Sequence, residues 1–234
     1  MIALKVKEMD FNYGAHNVFE NANLVAYQGT VVGIMGANGA GKTTFFDILC
    51  GLRKPSKGHV TRACASPLYL SQTLSTSPSL RLGELFAMVV CLNGNISVSR
   101  DEAVQYLSRW SPPLAQRFEG LWNKRPGQCS YGQIRYFFAL TLLCLPSPLI
   151  LLDEPTAGVD PEHRHYIWQC IHAARQEGAT ILVASHHIEE ITRHAQTFWM
   201  IRHKQFECFD SQQAFLQRFP AADVDAAFIR AATG

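Results

Sequence analysis

Apolar residues recur along this chain in short runs that follow two different periods. Strand-like runs occupy 2–7 (IALKVK), 30–35 (TVVGIM), 67–70 (PLYL), 149–153 (LILLD), 180–184 (TILVA) and 198–202 (FWMIR). Most are short and rich in branched residues. Stretches with helical spacing fill 43–50, 101–110, 131–145, 162–177 and 187–195. Apolar strands alternating with helices predict an α/β domain around a buried, mostly parallel sheet. The middle of the chain breaks the pattern. From Cys64 to Ser99 only Arg81 and Glu84 carry charge, and the run leads into the helix expected at 101–110. This shift in composition predicts a helical lobe inserted into the α/β core.

Composition narrows the picture. Of 234 residues 47% are hydrophobic and only 17% charged, against about 25% charged in an average soluble domain. A chain so poor in charge has a large core or a surface that a partner covers, and it is not disordered. A net charge of +2 is too small for a broad nucleic-acid surface, so no nucleic-acid partner is expected. The seven cysteines are odd in number and form no C-x-x-C pair, which predicts reduced thiols in a cytosolic protein. MIALKVKEMDF alternates like a strand and has no signal-peptide core. The longest apolar stretch, 137–152, is broken by Pro146 and Pro148, short of the ~20 residues of a membrane span.

The chemistry begins at 36–43, GANGAGKT, which satisfies G-x-x-x-x-G-K-[ST] between a strand and a helix. Gly36, Gly39 and Gly41, with Ala37, Asn38 and Ala40 between them, let backbone N–H groups close around phosphate oxygens. Lys42 supplies a point charge for the β and γ phosphates, Thr43 a hydroxyl for Mg²⁺, and Thr44 follows in the first turn. LILLDEP at 149–155 ends an apolar strand in two carboxylates. Asp153 there suits a Mg²⁺ site and Glu154 suits polarisation of an attacking water.

These motifs, in this order, resemble the ATP-binding cassette family, the nucleotide-binding subunits of ABC transporters, over nearly the whole chain. In that resemblance Tyr13 of YG looks like the adenine-stacking residue and Gln72 like the glutamine-loop residue that also faces Mg²⁺. SYGQ at 130–133 looks like the signature motif, with Ser130, Gly132 and Gln133 retained. Asp160 in EPTAGVDP matches the D-loop aspartate, and His186 in ILVASHH the switch histidine. His187 is its neighbour, but the family places the histidine directly after the strand and a small polar residue, which favours His186. One departure stands out: CSYGQ replaces the usual LSGGQ, so Tyr131 sits where a glycine is expected. Lost backbone freedom there predicts slow hydrolysis, with Tyr131→Gly equal or faster. His163 and His165 have a metal-like spacing and are read as a solvated helix face.

The resemblance implies a P-loop NTPase core with a mostly parallel sheet, an antiparallel N-terminal β subdomain and an inserted helical subdomain. One cassette spans 1–234: an α/β core at 1–72 and 130–205, a helical subdomain at 73–129 and a short C-terminal helical extension at 206–234. It further implies a Mg²⁺-dependent ATPase that closes head to tail on a second copy with ATP between them. That ATPase would power a separate transmembrane permease from the cytoplasmic face of the inner membrane. The short terminal helix resembles export-type cassettes. Two other classes compete: a soluble cassette acting on a non-membrane macromolecule, and a nucleotide-dependent module that does not hydrolyse. The segment 64–99, with apolar FAMVVCL at 86–92, is read as the groove for the permease, with Leu85 and Met88 as exposed test positions.

Overall fold

The computed structural model describes residues 1–94 and 97–233. In chain order its first half holds β1 (Ile2–Tyr13), β2 (His16–Tyr27), β3 (Val31–Gly36), α1 (Lys42–Leu49), β4 (Lys57–Arg62), β5 (Leu68–Leu70), α2 (Leu82–Leu92), α3 (Arg100–Trp110) and α4 (Pro112–Leu121). The second half holds α5 (Tyr131–Cys144), β6 (Leu149–Asp153), α6 (Pro161–Gln176), β7 (Thr180–Ala184), α7 (Ile188–His194), β8 (Thr197–Arg202), β9 (Gln205–Phe209), α8 (Gln212–Arg218) and α9 (Val224–Thr233). The strands form a three-stranded sheet, β2-β1-β4, and a six-stranded sheet, β5-β6-β7-β3-β8-β9. The fold is α/β, as the pattern predicts.

Two compact units divide the chain. The first comprises residues 1–69, 148–154 and 178–234. Within it β6, β7, β3 and β8 pair in parallel, and β9 returns antiparallel to β8. Every residue of β3, β6 and β7 is buried, which is why these strands read as unbroken apolar runs. The small sheet is antiparallel throughout and its inward residues Leu4, Val6, Met9, Leu24 and Ala26 join one core with Phe45, Phe46, Ile48 and Leu49 of α1. The packed face of α1 fixes the phosphate loop that precedes it.

The second unit comprises residues 70–147 and 155–177. Its core is aromatic: Phe118 stacks on Phe137 at 4.5 Å, and Phe86 and Trp122 pack at 5.0 Å. Trp122 also lies where a Cβ at Gly83 would come within 2.3 Å of Nε1, so α2 approaches that ring more closely than any other residue would allow. Helix α5 is buried from Arg135 to Cys144, so its apolar run reflects burial on all sides.

The compact units divide the chain differently from the sequence boundaries. Residues 130–147 and 155–177 cluster with the helical lobe instead of the strand core, because α5 and α6 pack on the helices of that lobe. Residues 206–234 hold most of β9, a strand of the six-stranded sheet, followed by α8 and α9, and Arg202 Nε donates to the Ala231 carbonyl at 2.7 Å. Further elements, β2, β4, α2 and α4 among them, lie outside the expected runs.

Candidate functional site

The loop after β3 turns on glycines. Gly39 and Gly41 adopt φ of +80° and +109°, and Gly41 caps α1. A Cβ on Gly41 would lie 2.6 Å from Val18 Cγ1 and 3.0 Å from Phe19 Cζ, so β2 leaves room for nothing larger. Ala37, Asn38 and Gly39 are exposed, with a 3.0 Å hydrogen bond from the Ala40 N–H to the Ala37 carbonyl closing the turn. Lys42 folds back over this loop and donates through Nζ to the carbonyls of Gly36 at 2.7 Å and Ala37 at 3.3 Å. Desolvation lowers the Lys42 pKa, opposed by the charges of Glu154 and Asp153.

Thr43 follows, and its hydroxyl donates to Asp153 Oδ2 at 2.7 Å. Asp153 is only 1% exposed. A hydroxyl and a carboxylate side by side are hard-oxygen donors of the kind Mg²⁺ takes, so the pair fits that ion. Glu154 leaves the strand end with φ +55°, a left-handed conformation that non-glycine residues rarely adopt and that gathers at functional sites. Its own N–H donates to the Ala184 carbonyl at 2.8 Å, which ties the strained residue to β7. The buried Glu154 carboxylate lies 2.8 Å from His186 Nδ1 and accepts from Ser185 Oγ at 3.3 Å. The His187 ring lies against His186 with centroids 4.1 Å apart and planes tilted by 38°. Tyr13, 42% exposed, sits 3.4 Å from Thr44 Oγ1 through its hydroxyl, and the Arg53 guanidinium covers its ring at 5.3 Å.

The remaining sequence-predicted residues belong to the second unit. Ser130 caps α5: its Oγ accepts the Gln133 N–H at 3.1 Å while Gln133 Oε1 accepts the Ser130 N–H at 3.0 Å. This capping box commits both side chains to the helix start. Gly132 fits against the Gly158 carbonyl, where a Cβ would come within 2.3 Å. Asp160 caps α6 by accepting the His163 N–H at 3.1 Å. Its hydrogen bond with His163 holds the Asp160 pKa below the usual carboxylate range. Gln72 is met through its main-chain carbonyl by Arg135 and Tyr131.

Three expectations are corrected here. Tyr131 is the first residue of α5 after a cap at φ −68°, and it is not among the residues with positive φ. Glycine's freedom is not required at this position, so its loss is no reason for slow hydrolysis. His163 is not solvated: it is 6% exposed and stacks on Tyr136 at 6.1 Å, whereas His165 is exposed. Leu85, read as exposed, is also buried, at 2%. Sequence reasoning passed over Arg135, Ser185 and Arg53. The signal for Arg135 is a lone cation inside an apolar helix.

A glycine loop between a buried strand and a packed helix, facing a strand-end Asp-Glu pair, defines a P-loop nucleotide-binding protein. The family model described as ABC transporter matches residues 19–157, and the chain belongs to that family: it is the ATP-binding subunit of a transporter and a cassette ATPase. A second model, for an AAA domain, matches residues 123–192. Among curated relatives, Protein McbF of Escherichia coli is 28% identical over 221 residues, covering 92% of this chain and 88% of the relative. Nod factor export ATP-binding protein I of Cupriavidus metallidurans is 30% identical over 201 residues, covering 81% of this chain and 65% of the relative. EcfA2, an energy-coupling factor transporter ATP-binding protein of Lactobacillus gasseri, is 27% identical, with 86% and 76% covered. A solved ATP-binding subunit of an ABC transporter superposes with a TM-score of 0.81 at 24% identity, covering 97% of this chain and 98% of that one. A dimeric post-hydrolysis cassette bound to ADP and Pi gives 0.74 at 22% identity, covering 88% and 98%. At these identities the structures speak for the fold. Among the described residues no helix is long and apolar enough to cross a membrane.

Proposed function

We propose that this chain hydrolyses MgATP in a head-to-tail homodimer, bound through a separate permease to the cytoplasmic face of the membrane, and that the transporter it drives is an exporter. The observation that carries the reading is the 2.7 Å Thr43–Asp153 bond beside the strained, buried Glu154. Lys42 exchanges its carbonyl partners for phosphate oxygens, and the N–H groups of residues 37–41 line the same loop. Thr43 and Asp153 would hold Mg²⁺, and the bound ion would supply charge neutralisation at the phosphates. Glu154 takes the proton of the attacking water, and His186 orients its carboxylate while reaching toward the γ-phosphate. Tyr13 offers a ring face to adenine once Arg53 swings away. Ser130, Gly132 and Asp160 of a second copy complete the site. The dimeric cassettes among the structural relatives support that arrangement.

The Nod factor export proteins support export, while EcfA2 and an amino-acid transporter subunit carry the same cassette. On α2, Ala87, Met88, Cys91 and Leu92 form an exposed apolar face, with Leu92 79% exposed, and this face is the proposed seat of a permease helix. The test has two parts. Lys42→Ala abolishes ATP binding and EDTA abolishes turnover, and turnover that survives either change refutes the site. Inside-out vesicles holding the permease with this subunit then accumulate cargo on MgATP if the system exports, and release it if the system imports.

A further inference from the structure

The proposed site, on which this inference rests, leaves one buried charge unused. Arg135 is 0% exposed, and a buried guanidinium is costly unless its N–H groups find acceptors. Nη1 donates to the main-chain carbonyls of Ser71 at 3.0 Å and Gln72 at 2.9 Å, and it lies 3.4 Å from the Tyr131 hydroxyl. That hydroxyl donates to the same Gln72 carbonyl at 3.3 Å. One carbonyl therefore takes two donors, one for each lone pair, and both come from the opening turns of the helix that Ser130 caps. On its other side the Tyr131 ring rests over Gly158, where a Cβ would come within 2.9 Å of Cδ1. Segments leading to Gln72, Ser130 and Asp160 all converge on Tyr131, and all belong to the second unit.

We propose that Arg135 and Tyr131 are positioning residues that pin the Gln72 main chain to the first turn of the signature helix. Gln72 and Ser130 then keep one spacing as ATP binds and leaves. Ser130 belongs to the signature motif and Gln72 to the glutamine loop, so the pin holds together two segments that turnover needs in one arrangement. A glycine at position 131 would supply neither the hydroxyl nor the ring.

Tyr131→Phe tests this with least damage, because the side chain is 52% exposed and only its hydroxyl is removed. In the full chain without nucleotide, hydrogen exchange in peptides covering residues 70–76 becomes about fivefold faster, the size of one net hydrogen bond. Peptides covering 149–154 are unchanged. Under steady state with MgATP, kcat falls severalfold at constant KM. Arg135→Lys, which keeps a donor, retains more of kcat and of exchange protection than Arg135→Met. Unchanged exchange at 70–76 in both Tyr131→Phe and Arg135→Met overturns the pin. Faster exchange with unaltered kcat overturns its positioning role. A wild-type chain that turns over no MgATP refutes the ATPase reading and the positioning role with it, while the exchange comparison still decides whether the pin exists.

Discussion

Two substitutions one helical turn apart on α2 separate core from docking face. Leu85 is 2% exposed and Met88 46%, so a glutamate at each position meets opposite surroundings. Truncating a buried leucine alone costs about 2–5 kcal/mol, and a carboxylate in its place adds desolvation, which is settled only by protonation or exposure. Leu85→Glu should therefore cost at least about 4 kcal/mol, a large part of the ~5–15 kcal/mol that holds a domain together. For a chain of this size that lowers Tm by roughly 8–16 °C. Met88→Glu removes a half-exposed side chain and should stay within about 0.5 kcal/mol. Thermal unfolding followed by circular dichroism, alongside co-purification with the permease, reads both effects. Leu85→Glu melts early, whereas Met88→Glu melts normally and fails to co-purify. A Leu85→Glu protein with unchanged Tm would refute the burial reasoning, and a Met88→Glu protein that still co-purifies would remove α2 as the docking face.

Other consequences are simpler to state. Thr43→Ala should weaken MgATP binding more than binding of ATP in EDTA, measured by calorimetry, because the lost hydroxyl serves the ion; equal losses would contradict that role. Asp160→Ala removes a helix cap and should cost about 1 kcal/mol in urea unfolding. The folded Asp160 pKa lies below its ordinary value, so this contribution is fully present above the unfolded pKa and is lost as pH falls through the lowered folded one. The difference between wild type and variant should shrink in acid, and a constant gap down to low pH would argue against the His163 hydrogen bond. In brief alkylation at mild alkaline pH, the exposed Cys91 should be labelled first. Cys170, whose pKa burial pushes up to about 12, and the buried Cys144 should stay unlabelled, as peptide mass spectrometry would report.

The parallel core was legible because both faces of β3, β6 and β7 are buried, which leaves unbroken apolar runs in the sequence. The phosphate loop and the Asp153–Glu154 pair were legible because their chemistry demands fixed residues at fixed spacing. Strand β2 was hidden by its asparagines and by irregular register against β1, including Asn21 at φ +48°. Strand β4 is short and only half buried, so neither alternation nor an apolar run marks it. Helix α4 begins Pro112-Pro113, which reads as a loop although proline suits a first helical turn. Tyr131 shows the limit of motif reading. Against the family's glycine it looks like a loss of freedom, and only its contacts with the Gln72 carbonyl and Gly158 reveal what the side chain does.

In the proposed reaction Glu154 acts on water at a site closed by a second copy. Glu154→Gln keeps the size and most hydrogen bonds of the side chain but removes the base. Size-exclusion chromatography with light scattering, run in saturating MgATP, tests both parts at once. Wild type should run as a monomer on average while Glu154→Gln runs as a stable dimer carrying unhydrolysed ATP. A Glu154→Gln protein that stays monomeric, or that hydrolyses ATP at the wild-type rate, would contradict it.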